Sequence, residues 1–240
     1  MDPRLHIIDK RLQDIKRIIA VSGGKGGTGK SSVASVLALT LAKNGYRTGL
    51  LDLDFGGPSA HIILGVEGLF PEEDKGLIPP DVSGIRFISI IYFTGNNPAP
   101  LRGKEISNAI IELLAVTLWG ELDFLIIDMP PGMADTTLDV IRLIRRMEFI
   151  LVTTPSRLAI EVAKRELAIL QELHLPVLGL IENMLTREYT GVADKVAGQQ
   201  ITFLGSIDFD STLEHAIGDV DKLLQTGFAK QLSSYLHITP

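Results

Sequence analysis

The chain has 240 residues, 45% of them hydrophobic, with a net charge of −6 and only 6% aromatic residues. That is apolar material for one large α/β domain, read here as a single domain over residues 1–240, while an acidic, aromatic-poor chain lacks the basic face of a nonspecific nucleic-acid binder, so no nucleic-acid partner is expected. It contains no cysteine, which excludes disulfides, thiolate metal sites and cysteine-held iron–sulfur clusters within these residues.

The opening stretch MDPRLHIIDKRLQDIKR is charged throughout and has no apolar core followed by small residues, so no signal peptide is expected. The apolar runs are far shorter than a membrane span, and the expectation is a cytoplasmic protein without a membrane partner. RIIAVS (17–22) reads as a buried strand, residues 31–43 as a helix ending at Asn44-Gly45, and RTGLLDLD (47–54) as a second strand. Residues 65–84 are rich in proline and glycine and predict an irregular excursion. GIRFISII (84–91) is a further strand, 95–103 a loop, and 104–118 a helix with apolar Ile106, Ile110, Leu113, Leu114 and Leu118. FLIIDM (124–129) is apolar enough for the centre of a sheet. There follow a helix (135–146), a strand (148–153), a helix (157–173), a strand (176–182), a weaker helix (187–198) and a strand (201–207). The remainder is helical with a break near Gly218. Such alternation, with near-continuously apolar strands, predicts an α/β fold: a doubly wound, mostly parallel sheet with helices on both faces and ligands at the carboxyl ends of the strands.

Gly24-Lys25-Gly26-Gly27-Thr28-Gly29-Lys30-Ser31 fits the phosphate-loop pattern G-x-x-x-x-G-K-[ST] and lies between a predicted strand and a predicted helix. Glycines let the backbone curl until its N–H groups point inward at phosphate oxygens, and the helix adds its positive end. Lys30 is placed on the β- and γ-phosphates and the Ser31 hydroxyl on Mg²⁺. Lys25 exceeds the general pattern. A second cation held away from its own nucleotide can reach one bound by a second subunit, as an arginine finger does in trans. Two further segments end apolar strands in carboxylates. Asp52 and Asp54 close LLDLD, and Asp128 closes LIID before a rigid Pro-Pro-Gly turn. Asp128 suits an outer ligand of Mg²⁺, and the turn suits a switch that senses the γ-phosphate.

GGKGGTGKSS, Gly23 to Ser32, resembles the deviant Walker A loop of the Mrp/MinD/ParA group of dimeric ATPases. The resemblance implies a homodimer formed with ATP, in which Lys25 crosses the interface to the partner's phosphates, and it extends the nucleotide site to Ser32. LDLDFGGPS is similar to the group's switch I, which implies that Asp54 positions the attacking water, with Asp52 beside it near the Mg²⁺ waters. DFLIIDMPPGMADTTLDV (123–140) is similar to switch II. In TPSRLAIEVAKRELAILQELHLPVLGLIENM (154–184), the final ENM implies that Asn183 contacts the base. No Asn-Lys-x-Asp guanine motif is present, which favours ATP over GTP. The likeness covers about residues 17 to 220.

Mrp-type iron–sulfur carriers usually place a Cys-x-x-Cys shortly after ENM, whereas this chain reads LTREYTGVADKV. MinD proteins end in a basic amphipathic helix. Here Leu223, Leu224, Phe228, Leu232 and Leu236 form an apolar stripe whose polar face has few cations, so packing against the body is expected. The five histidines (His6, His61, His174, His215 and His237) lack ligand spacing. LLDLDFGGPSAHIILG, LFPEEDKGLIPP and PAPLRGKEISNAIIELL resemble archaeal ATPase-type HypB proteins. That likeness implies a role in nickel insertion during nickel–iron hydrogenase maturation, acting on a HypA-like metallochaperone that holds the metal. The alternatives are an Mrp-like iron–sulfur assembly ATPase and a MinD/ParA-like positioning ATPase.

Overall fold

The computed structural model describes residues 4–94, 103–186, 191–196, 198–236 and 238–240. The first half runs α1 (Arg4–Leu12), β1 (Ile15–Ser22), α2 (Lys30–Lys43), β2 (Thr48–Asp52) and α3 (Ala60–Ile63). Three two-residue strands follow, β3 (Glu72–Glu73), β4 (Leu77–Ile78) and β5 (Asp81–Val82), and then β6 (Ile85–Ser89), α4 (Ile91–Thr94) and α5 (Lys104–Val116). The second half runs β7 (Leu122–Asp128), α6 (Asp135–Leu143), β8 (Met147–Thr153), α7 (Arg157–Glu172), β9 (Val177–Leu185), α8 (Val192–Val196) and β10 (Phe203–Asp208). It closes with α9 (Thr212–Ala216), α10 (Val220–Gln225) and α11 (Gly227–Tyr235).

Eight strands form one sheet in the order β10-β9-β8-β1-β7-β2-β6-β5. All neighbours are parallel except the edge strand β5, which runs antiparallel to β6. The expected α/β architecture is therefore present. Every residue of β7 is buried, as both faces of a parallel sheet require. Alternation along β1 divides the core. Ile18 and Ala20 pack on one face with Leu12, Leu114, Trp119 and Leu167, whereas Ile19 and Val21 pack on the other with Val33, Leu37, Leu223 and Phe228. Because β1 lies between β7 and β8, the loop that leaves it is flanked by the ends of both neighbours. This is where a doubly wound sheet opens a crevice.

The structure adds or revises several elements. The N-terminal segment is charged, yet it forms α1, which buries Ile8 and Leu12 four residues apart. The excursion after residue 65 carries the short β3–β4 hairpin and the edge strand β5. β9 continues to Leu185, so Asn183 lies within a strand: β10 extends the ladder, pairing Ser206 with Glu182 and Asp208 with Leu185. The weak helix read over 187–198 is described only as α8, and most of the loop read over 95–103 lies outside the described residues. Gly218, at φ 85°, breaks the C-terminal helices as expected.

The apolar stripe of the tail is packed on α2. Leu223, Phe228 and Leu232 are fully or almost fully buried, and the two helices that carry them are capped by side chains. Asp219 Oδ1 accepts from the Lys222 N–H at 3.1 Å, and Thr226 Oγ1 accepts from the Ala229 N–H at 3.1 Å. Among the described residues no helix is long and apolar enough to cross a membrane. Phe228→Ala is expected to destabilise the fold by about 3 to 5 kcal/mol, as emptying a buried aromatic site does. Urea unfolding followed by circular dichroism measures this. A loss below about 1 kcal/mol would mean that the tail is not part of the core.

Candidate functional site

The segment between β1 and α2 curls because two of its glycines take backbone angles that side-chain-bearing residues avoid. Gly27 has φ 80° and Gly29 φ 86°. Gly29 is also short of space, since a Cβ there would fall 2.2 Å from Asn183 Nδ2. No side chain caps α2, and its first intrahelical bond runs from the Val33 N–H to the Gly29 carbonyl at 3.0 Å. The N–H groups of its first turn are the natural seat of an anion. Lys30 is 5% exposed and its ammonium lies 3.5 Å from the Lys25 carbonyl, which also accepts from Thr28 Oγ1 at 3.5 Å. Lys25 sits on the outside of the same loop, exposed, beside Gly26 and Gly27. The two lysines are thus divided between the inside and the outside of the loop. Ser31 and Ser32 are half-buried at the start of α2.

The switch segments are tied to this loop through the backbone. The Met129 N–H donates to the Val21 carbonyl at 3.1 Å, and the Gly132 N–H, at the end of the Pro-Pro-Gly turn, donates to the Gly23 carbonyl at 3.3 Å. Thr137 Oγ1 in turn donates to the Gly132 carbonyl at 2.7 Å. A shift of the loop therefore reaches the first turn of α6.

Asp52 and Asp128 are register partners at the ends of β2 and β7, and both are fully buried. Their environments differ. Asp52 accepts from the Asp54 N–H at 3.0 Å, the Ala60 N–H at 3.2 Å and the Ser89 hydroxyl at 3.4 Å. Burial pushes its carboxyl up, and those backbone N–H groups oppose the rise. It anchors the switch I loop. Among the described residues Asp128 has no hydrogen-bond partner on either oxygen. Burial pushes its carboxyl up further, the Asp52 charge adds to the rise, and Ser31 and Lys30 pull the other way. Asp54 lies beyond the end of β2, half-buried, with Oδ1 accepting from the N–H groups of Gly56 and Gly57 at 3.1 Å each. Among the described residues no three histidine, cysteine, aspartate or glutamate side chains gather to hold a metal ion. The orphaned Asp128 beside Ser31 nevertheless fits Mg²⁺ held by the serine and phosphate oxygens, with the carboxylate reached through water.

Asn183 is 3% exposed and its Nδ2 donates to the Thr28 carbonyl at 2.9 Å, so it braces the loop from β9. Met184, at φ 61°, is partly exposed next to it, and Phe209, exposed, donates its N–H to the Leu185 carbonyl at 2.8 Å. Sequence reasoning missed Ser22 and Glu166. The Ser22 hydroxyl, at the last position of β1, donates to Glu166 Oε1 from α7. A signal existed: Glu166 interrupts the apolar stripe Ala159, Ile160, Ala163, Leu167 and Leu170.

A curled glycine loop at the centre of a parallel sheet, with a buried lysine and an orphaned carboxylate opposite, defines a P-loop nucleotide-binding protein. The family described as ParA, NUBPL iron-transfer P-loop NTPase, matches residues 14–237, and the chain belongs to it. It is 40% identical over 177 residues to the iron–sulfur cluster carrier protein of Pseudomonas fragi, covering 72% of this chain and 62% of that one. To the protein of the same name in Escherichia coli K12 it is 36% identical over 242 residues, covering 95% and 65%. The chain thus spans less than two thirds of the length of these relatives. Among solved structures, a nucleotide-binding protein from Archaeoglobus fulgidus in complex with ADP superimposes with a TM-score of 0.80 at 29% identity, covering 98% of each chain. The septum site-determining protein MinD from Pyrococcus horikoshii, complexed with Mg-ADP, superimposes with a TM-score of 0.68 at 20% identity, covering 91% and 93%, and shares the fold. These relatives correct one expectation. They are named iron–sulfur cluster carriers, so the HypB likeness, with its nickel insertion, hydrogenase maturation and HypA-like metallochaperone, is withdrawn.

A carboxylate raised on folding makes the native state the stronger proton binder, so stability falls as pH rises from the unfolded value of about 3.9 toward the folded one. Asp128→Asn is therefore expected to raise the melting temperature of the nucleotide-free protein at pH 8, with the gain shrinking as pH falls toward 4. Differential scanning fluorimetry across that range tests it, and a loss of stability at pH 8 would show that the Asp128 charge is compensated.

Proposed function

We propose that the chain is an ATP hydrolase that dimerises around two ATP molecules and serves iron–sulfur cluster assembly. The observation that supports it is the division of the loop's lysines, Lys30 turned in and Lys25 turned out. Lys30 holds the β- and γ-phosphates of its own nucleotide, on the backbone N–H groups of Gly24, Gly26, Gly27, Thr28 and Gly29 and of the first turn of α2, Ser32 included. Mg²⁺, when bound, neutralises phosphate charge; Ser31 would hold it, and Asp128 and Asp52 would face its waters. Asp54, next to the loop that Asp52 anchors, orients the attacking water. Asn183 faces the base side of the loop through the part of its amide not given to Thr28. Lys25 supplies its charge to the partner's phosphates and completes each site only in the dimer.

The relatives' names support the iron–sulfur pathway, and the composition limits the role. With no cysteine, these residues do not fit the cluster, which is cargo whose thiolates must come from outside them. Binding of ATP orders the switches and the dimer face, and hydrolysis releases them; a cluster-bearing partner that prefers one state is thereby bound and let go.

Lys25→Ala is expected to bind ADP as the wild type does, yet to lose ATP-driven dimerisation and at least about tenfold in hydrolysis. Asp54→Ala should do the reverse, keeping ATP and the dimer while hydrolysis stalls. Sedimentation velocity with ATP and with ADP, alongside phosphate release, reads both. If Lys25→Ala dimerises and hydrolyses like the wild type, the trans-acting role is wrong. Purification with the natural partner tests the pathway: a cysteine-rich cluster protein supports it, whereas membrane or DNA would move the chain to the positioning ATPases.

A further inference from the structure

Lys30 is buried, and among the described residues no carboxylate lies within salt-bridge distance of it. Two buried carboxylates, Asp128 and Glu166, are themselves incompletely satisfied among the described residues; burial pushes both carboxyls up, and the Lys30 charge opposes the rise in each. Glu166 is 2% exposed. One of its oxygens accepts from Ser22, and the other is buried without a hydrogen-bond partner. The helix that carries it is pressed against the loop, since a Cβ on Gly24 would fall 2.3 Å from Val162 Cγ1. At Gly23 a Cβ would fall 2.5 Å from the Val152 carbonyl and 3.4 Å from Lys30 Cδ, so the lysine stem lies over the residue that follows Ser22.

These two carboxylates meet different fates when a nucleotide arrives. Asp128 faces the Mg²⁺ position and gains a cation. Glu166 gains none, and when ionised it sets a buried negative charge behind a loop that must hold phosphates. Like charges in a low-dielectric interior repel strongly and are poorly screened by salt.

We propose that Glu166 is a positioning residue that limits how tightly the loop holds phosphate. Its Ser22 contact fixes the loop's entry, and its charge competes with the nucleotide for the Lys30 ammonium. The consequence is faster nucleotide release, greatest for the most highly charged ligand. This inference rests on the nucleotide reading given above and deepens it.

Glu166→Gln tests it, because the amide oxygen still accepts from Ser22 while the charge is gone. Calorimetry at pH 8 without Mg²⁺ would compare ATP, ADP and adenosine for the wild type and E166Q. The expected result is ATP binding tighter by roughly three- to tenfold, ADP by less, and adenosine unchanged. Release of a fluorescent ADP analogue should slow correspondingly. Should E166Q fold poorly, Glu166→Met, of similar size and uncharged, is expected to show the same dependence on phosphate number. An E166Q protein that binds ATP no more tightly than the wild type overturns the proposal, as does an equal change for adenosine, which would mark a purely structural role. A wild type that does not bind ATP would overturn the nucleotide reading as well.

Discussion

Two carboxylates buried side by side repel each other, and the site is organised around that repulsion. Parallel pairing of β2 with β7 places Asp52 opposite Asp128, where neither meets bulk water. Uncompensated charge in such a place is among the costliest features a fold can carry. The chain relieves one member and leaves the other. Backbone N–H groups of the switch I loop close on Asp52, so that the strain of the pair is concentrated on Asp128. On the function proposed above, the cation that accompanies a nucleotide would relieve it.

The same logic extends across the sheet. Lys30 stands within the field of Asp128 on β7 and of Glu166 on α7 without a contact ion pair to either. Had it formed a close pair with one of them, phosphate would have to break that pair before binding. Without such a pair the ammonium is left available. The backbone links from Gly23 to Gly132 and onward to Thr137 then give the loop a mechanical connection to switch II. On the function proposed above, a change at the loop would pass along these bonds to the first turn of α6.

How much of this was legible in the sequence depended on whether the signal was local. The phosphate loop was readable because its glycines, lysine and serine are consecutive and the flanking periods change from strand to helix. The strands that end in Asp52 and Asp128 were readable from their apolar runs, but their mutual register was not, since β2 and β7 are joined only by tertiary pairing. The strand read over 176–182 stops short of Asn183 because the pairing with β10 that carries β9 past it lies some twenty residues on. The Ser22–Glu166 contact spans 144 positions, and only the misplaced charge in an apolar stripe hinted at it. The likeness to HypB rested partly on residues 98–102, outside the described residues, and on the lack of cysteine, which says what a chain cannot hold without saying what it serves.

That lack of cysteine separates two functions that a carrier could combine in one polypeptide. Holding a cluster requires thiolates in fixed geometry, whereas driving its transfer requires only a shape that depends on nucleotide. The segments that the resemblance assigns to the second, the loop, both switches and the outward lysine, are present in this chain, while β9 ends at Leu185 and the residues after it, where the resemblance places paired cysteines, contain none. On the function proposed above, these residues act through a surface whose affinity changes between nucleotide states. The exposed Lys25, on the loop, and Met184, beside Gly29, belong to the face that such a change would alter first, because they border the loop and yet are not buried by this chain's own fold.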